Sequence, residues 1–310
     1  MKKFATIALT LAMAAASACA SATTVGICQL VQHEALDAAT QGFKDALTEK
    51  MPDVKFDEQN AAGDAATCVT ITSKFAADGV DLILANATSP LQAAVSATGD
   101  IPILGTSITD YATALGMKEW DGTTGINVSG TSDLAPLDGQ AAMIQELFPD
   151  AKNIGLVYCS AEANSVYQVT TIKGYLEEMG YTCTEFAFTD SNDVASVTQT
   201  AADASDVIYI PTDNTAAAYT ETIANVLIPA KVPAVVGEEG ICKGCGVATL
   251  TISYYDLGYK TGEMAYDILA NGADVSTMKV ESAPNFTKKY NAANVEALGL
   301  TIPADYVAIE

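Results

Sequence analysis

The chain has 310 residues, 49% of them hydrophobic and 17% charged, a balance that supports packed cores and excludes a disordered chain. Its 15 basic residues are all lysines, and against 38 acidic residues they leave a formal charge of −23. Nucleic-acid partners are excluded on that ground, because binding a phosphate backbone relies on clustered Lys and Arg.

Residues 1–20 have the parts of an export signal: Lys2 and Lys3, an apolar stretch over residues 4–16, then small residues around Cys19. The apolar stretch is shorter than the ~20 residues a membrane span needs. Ala16-Ser17-Ala18-Cys19 resembles a bacterial lipoprotein box, with Ala16 where Leu is usual, so Cys19 is the candidate lipidation site. Ordinary cleavage after Ala18 or Ala20 is the alternative. No second apolar run of spanning length follows, and the remaining length suits two domains.

Residues 24–31 form an apolar run, and Leu36, Ala39, Phe43, Ala46 and Leu47 follow at helical spacing. Residues 55–59 read as a strand, 69–77 as a helix, and 80–85 as a continuous apolar strand buried on both faces. Ser89-Pro90 predicts a capped helix start, with Pro at the first helical position. Residues 101–104 and 124–128 add two strands. The order then repeats at an offset of about 130 residues. Val25-Gly26-Ile27-Cys28 is answered by Ile154-Gly155-Leu156-Val157, and Ile101-Pro102-Ile103-Leu104-Gly105 by Val232-Pro233-Ala234-Val235-Val236-Gly237. Strands at 181–188, 207–210, 232–236 and 247–252, with helices between, complete a second α/β unit.

A helix over 256–269 and a tail from residue 279 have no counterpart in the repeat. The simplest placement returns that helix to the first lobe and the tail strand to the second. Lobe 1 is then 24–128 plus about 254–281, and lobe 2 is 131–252 plus about 284–310. Crossings near Ser129-Gly130, Ser253-Tyr254 and Ser282 to Pro284 make a three-crossing hinge that closes over a small ligand.

No phosphate loop, nucleophile elbow or HExxH pattern is present, no catalytic constellation can be assembled, and no cofactor is implied. His33 is the only histidine, at a helix start, where capping or packing explains it, and a His-rich metal site is excluded. Cys242-Lys243-Gly244-Cys245 is a CxxC placed in a Gly-rich turn, read as a local disulfide or two free thiols. Cys28 and Cys159 read as buried packing residues.

In open parallel sheets, ligands lie beyond the carboxyl ends of strands. There the two units differ. Thr88, Ser89, Thr106, Ser107 and Thr109 offer hydroxyls in the first, whereas Asp213, Glu238 and Glu239 offer carboxylates in the second. Hydroxyls with helix N-terminal amides suit a carboxylate and acids suit an ammonium, so a zwitterion bridging the cleft would satisfy both. The competing reading makes Ser89, Asp213 and Asn164 simple helix caps.

Gln29-Leu30-Val31-Gln32-His33-Glu34-Ala35-Leu36-Asp37 resembles the motif Q-x-V-x-H-P-A-L-D of the substrate-binding components of bacterial ABC importers, in the group associated with tryptophan and tyrosine. Ser160 to Ser165, Pro211-Thr212-Asp213-Asn214 and Tyr254 to Tyr259 resemble three further stretches, over residues 24–302 in all. The resemblance implies a type I periplasmic-binding-protein fold without catalytic activity, serving a permease and its ATPase. It carries the ligand carboxylate onto Thr88, Ser89, Thr106 and Ser107, and the ammonium onto Asp213 with Glu238 as second candidate; Asn164 and Ser165 close from lobe 2. Glu34 stands where the family has Pro, and Tyr111 stands where Pro commonly follows Thr-Asp; both lie at the presumed cleft, and Tyr111 and Gln32 are further candidate ligand-binding residues. The expected ligand is an amino acid, aromatic or large and apolar, bound by a monomer. The alternatives are a branched amino acid, a nucleoside or a sugar, and, in another class, an adhesin or an exported enzyme.

Overall fold

The computed structural model describes residues 22–310, so the export signal and Cys19 lie outside the described residues. The first lobe begins β1 Thr24–Gln29, α1 Glu34–Lys50, β2 Lys55–Asn60, α2 Ala65–Asp78, β3 Leu82–Asn86, α3 Thr88–Ala97, β4 Ile103–Ile108, α4 Tyr111–Leu115 and β5 Val128–Ser132. The second runs α5 Leu137–Leu147, β6 Asn153–Cys159, α6 Ala163–Glu178, β7 Thr182–Phe188, α7 Val194–Ala204, β8 Val207–Ile210, α8 Asn214–Ala218, α9 Thr220–Ala230, β9 Ala234–Val236, α10 Glu239–Gly244 and β10 Ala248–Thr251. Then α11 Tyr254–Asn271 and β11 Glu281–Ser282 return to the first lobe, and β12 Thr287–Tyr290, α12 Ala292–Leu298 and β13 Val307–Ala308 finish the second.

The first sheet has the order β11-β5-β4-β3-β1-β2, every pair parallel. The second has the order β13-β12-β10-β9-β8-β6-β7, with only the β10–β12 pair antiparallel. Alternation along the strands builds a core on each face. In β3, Leu82 and Leu84 pack with Phe43 and Met264, while Ile83 and Ala85 pack with Phe75 and Leu91. In β8, Tyr209 joins Leu156 and Ile172, while Ile208 and Ile210 join Phe188 and Ile223. The edge strand β2 is polar and largely exposed, which blunts it as a pairing template.

Helix α11 lies on α1 at close range because glycines line the contact. A Cβ at Gly258 would stand 1.9 Å from the Ala39 carbonyl oxygen, and one at Gly42 would stand 2.1 Å from that of Tyr255.

Local differences from the sequence reading have physical causes. Strand β5 covers Val128–Ser132 rather than 124–128, because Gly125 turns the preceding segment at φ 67°; the first sheet therefore extends past the expected crossing at Ser129-Gly130, and the chain leaves it after Ser132. Helix α3 begins at Thr88 after Ala87 rather than at a Ser89 cap, with Pro90 at its third position, where a backbone N–H has no helical partner anyway. The CxxC lies in α10 and its C-cap rather than a loose turn, with Cys242 and Cys245 buried as free thiols.

Candidate functional site

Between the carboxyl ends of the two sheets lies a cavity of about 300 Å³. Leu30, Val31 and Ser89 line it from the first lobe, and Glu162, Asn214 and Thr215 from the second. Its volume stands at the lower end of the small-molecule range of roughly 300–1,000 Å³.

A buried polar network fixes the first-lobe wall. Asn86 donates to the Leu36 carbonyl at 2.8 Å and to the Thr40 hydroxyl at 2.9 Å. Thr40 in turn donates to Gln29 Oε1 at 2.6 Å, and Gln29 Nε2 donates to Asp37 at 2.6 Å and to the Val31 carbonyl at 2.9 Å. The loop from Leu30 to His33 is thereby tied to the body of α1. Thr88 is buried in the first turn of α3, and Thr106 is buried beside Thr131, with hydroxyls 3.3 Å apart.

Two backbone outliers stand at this edge. Ala87 has φ 99° and Ser107 has φ 57°, both in a region that disfavours side chains, and the β4–β5 register shifts between Gly105 and Ile108. Strain of this kind concentrates at ligand sites, where surrounding structure holds it in place. The Ser107 hydroxyl is buried and has no hydrogen-bond partner.

The second-lobe wall is acidic, and its acids are braced. Asp213 caps α8 by accepting from the Ala216 amide at 2.8 Å. Its other oxygen accepts from the Cys159 amide and the Ser165 hydroxyl, each at 2.7 Å. Burial, with the Glu162 charge added, pushes its carboxyl up to about 7. Glu238 caps α10, accepting from the amides of Gly240 and Ile241, and burial pushes it up to about 7 as well. Asn164 donates to Glu162 at 3.2 Å and to the Thr212 carbonyl at 3.1 Å. Asn164 and Ser165 thus orient the acids, and the N-cap of α6 is Glu162.

Glu162 is the residue that sequence reasoning passed over. One carboxylate oxygen accepts from Asn214 Nδ2 at 2.6 Å and from the Asn214 amide at 3.1 Å. The other accepts from the Thr215 amide at 2.9 Å and hydroxyl at 2.8 Å. The only available signal was its place in the Ser160 to Ser165 loop. A second unforeseen acid, Asp133, lies just after β5; it accepts from the Tyr254 hydroxyl at 2.9 Å, and burial pushes it up to about 6.

Of the ten residues expected to bind ligand, Ser89 alone lines this cavity; Glu238 lines a separate one of about 280 Å³ with Glu34 and Tyr254, and Tyr111 and Gln32 lie outside both. Tyr111 turns into the first-lobe core, stacks on Trp120 at 6.2 Å, and donates to the Gly105 and Thr131 carbonyls at 3.0 and 3.2 Å. Its hydroxyl fills the space left by Gly105 and Gly130, where a Cβ would stand 2.5 and 2.4 Å away. Gln32 is exposed.

Side chains also meet across the cleft. His33 Nε2 lies 3.3 Å from Asn214 Oδ1, and Lys243 lies 3.3 Å from Glu34. Among the described residues there is no metal-ligating cluster, and no helix is long and apolar enough to cross a membrane.

The chain is similar to known proteins over nearly its whole length. It is 36% identical over 280 residues, 89% of this chain and 81% of the relative, to a tyrosine-binding protein of Clostridioides difficile. A Streptococcus pneumoniae ABC domain in complex with L-Trp matches at 33% identity, covering 92% of this chain and 97% of that one, with a TM-score of 0.87. The ligand-free, open structure of a Clostridium difficile substrate-binding protein with adhesive properties matches at 37% identity, 93% and 99% coverage, and a TM-score of 0.70. The family model for ABC transporter substrate binding proteins matches residues 24–308, and the chain belongs to that family.

Proposed function

We propose that this chain is the extracytoplasmic substrate-binding component of an ABC importer, that it holds an aromatic amino acid between its lobes, and that it has no catalytic role. The observation that carries the reading is the match, along nearly the whole chain, to one relative named for tyrosine binding and another holding L-Trp. The cleft chemistry supports it. Ser89 in the cavity lining and the unpartnered Ser107 hydroxyl, with the buried Thr88 and Thr106, would receive the ligand carboxylate, while the second-lobe acids would set the field that favours the ammonium. Asp213 and Glu238 act at least partly through the backbone they cap, since their own lobe already fills much of each carboxylate. The ligand would pass to a membrane permease and its ATPase. The protein would work outside the cytoplasm as a monomer, anchored through Cys19 or released.

A thermal-shift screen of the protein from Ser21 onward against the amino acids, sugars and nucleosides tests this. Ligand at 100 times its Kd adds about 2.7 kcal/mol, so tyrosine, tryptophan or phenylalanine should raise the Tm clearly. A shift with a sugar or nucleoside alone overturns the ligand class.

A further inference from the structure

We infer that His33, through Asn214, forms a latch between the lobes that sets how long the closed state holds its ligand; this rests on the function proposed above. His33 precedes α1 in the first lobe, and Asn214 opens α8 in the second. Their side chains meet at 3.3 Å across 181 residues of sequence. The direction of the bond follows from the neighbours. Asn214 donates through Nδ2 to Glu162 at 2.6 Å, and a carboxylate can only accept, so the Asn214 amide oxygen faces His33 and the imidazole donates from Nε2. Glu162 in turn is held by the Asn214 and Thr215 amides of α8. The first-lobe end is equally fixed, because Gln29 and Asp37 tie the approach to α1.

The latch is therefore a preset donor on one lobe and a preset acceptor on the other, with rigid support behind each. His33 occupies the N-cap position of α1 without making a capping bond from its side chain, so local helix structure does not account for its placement. Burial lowers the His33 pKa below the usual histidine value, with Asn214, Glu162 and Asp37 acting in the opposite sense. His33 does not line the cavity, whereas Asn214 does. Separating the lobes breaks this bond and leaves the intralobe bonds of Glu162 intact, so it adds to the closed state alone.

The test is stopped-flow or surface-resonance binding of tyrosine and tryptophan to the full mature protein, with variants H33A, H33Q, N214A and H33A/N214A. A net hydrogen bond confined to the closed state predicts that H33A raises the ligand off-rate about fivefold to tenfold and leaves the on-rate within about twofold. H33Q, which keeps an N–H donor, should restore most of the residence time. The double variant should be no worse than N214A. An off-rate for H33A equal to that of the unaltered protein, or additive effects in the double variant, overturns the latch. If the unaltered protein binds neither amino acid, the ligand reading falls instead. The latch is then tested by small-angle scattering without ligand, where a radius of gyration for H33A equal to that of the parent refutes it.

Discussion

Replacing Asp213 by alanine should weaken the fold itself, before any effect on ligand is considered. The carboxylate accepts from two buried backbone amides and one hydroxyl at 2.7–2.8 Å, so alanine removes the cap of α8 and orphans the Cys159 amide within the second-lobe core. A lost cap contributes about 1 kcal/mol and an orphaned buried donor about 1–3 kcal/mol, so a loss of about 3 kcal/mol at pH 8 is expected. That should lower the Tm by roughly 6–12 °C. The loss also depends on pH, and its sign is fixed. The Asp213 carboxyl titrates near 7 in the folded protein, above its ordinary value of about 4, so the folded state holds the proton more tightly. The stability contributed by that proton is full below pH ~4 and disappears as the pH rises through ~7, at up to about 1.4 kcal/mol per pH unit. Alanine has no such proton, so the penalty should be greater at pH 5 than at pH 8. Urea unfolding of D213A and the parent at both pH values measures it. A loss under about 1 kcal/mol, or one independent of pH, would refute the brace. If the brace holds, lost ligand binding in D213A is no proof of contact unless folding is measured beside it.

Other outcomes follow from the same geometry. Gly258→Ala drives a methyl group into the Ala39 carbonyl and should cost about 3 kcal/mol in urea unfolding by forcing α1 and α11 apart. Ser107→Gly removes a side chain from a left-handed backbone position, so the ligand-free protein should gain up to about 1 kcal/mol, while titration calorimetry shows affinity for an aromatic amino acid falling about tenfold. Asp213, Glu238 and Asp133 all titrate above the usual carboxylate range, so the ligand-free protein should be more stable near pH 5 than pH 8 by differential scanning calorimetry.

The two α/β units and their buried strands were legible because β3 and β8 are continuous apolar runs repeated at a fixed offset. Strand β5 was misplaced because Val128-Ser129-Gly130-Thr131-Ser132 carries a single aliphatic residue. Its small side chains leave room for the Tyr111 hydroxyl, a demand set by a residue some twenty positions away. Helix α5 gave too weak a periodic signal, with Gly139 in its first turn and Pro136 before it. The start of α3 depends on Ala87 at φ 99°, a conformation no local rule assigns to alanine. At the site, the split of hydroxyls and acids between lobes could be read from loop positions alone. The bracing of the acids could not, since the donors to Glu162 and Asp213 come chiefly from loops about 50 residues apart in the chain.

Helix α11 and strand β11 complete the first lobe from beyond the second. During synthesis, then, neither half can finish when its own repeat has emerged. The early segment waits with the α1 face that receives α11 still bare until residues past 250 are made, and the later segment waits for β12 to cover β10. A protein built this way stays incomplete along most of its length while it is being made. It also means that cutting the gene at the repeat boundary leaves an N-terminal fragment without a whole first lobe, while the C-terminal fragment carries the second lobe together with the α11 and β11 segments that belong to the first.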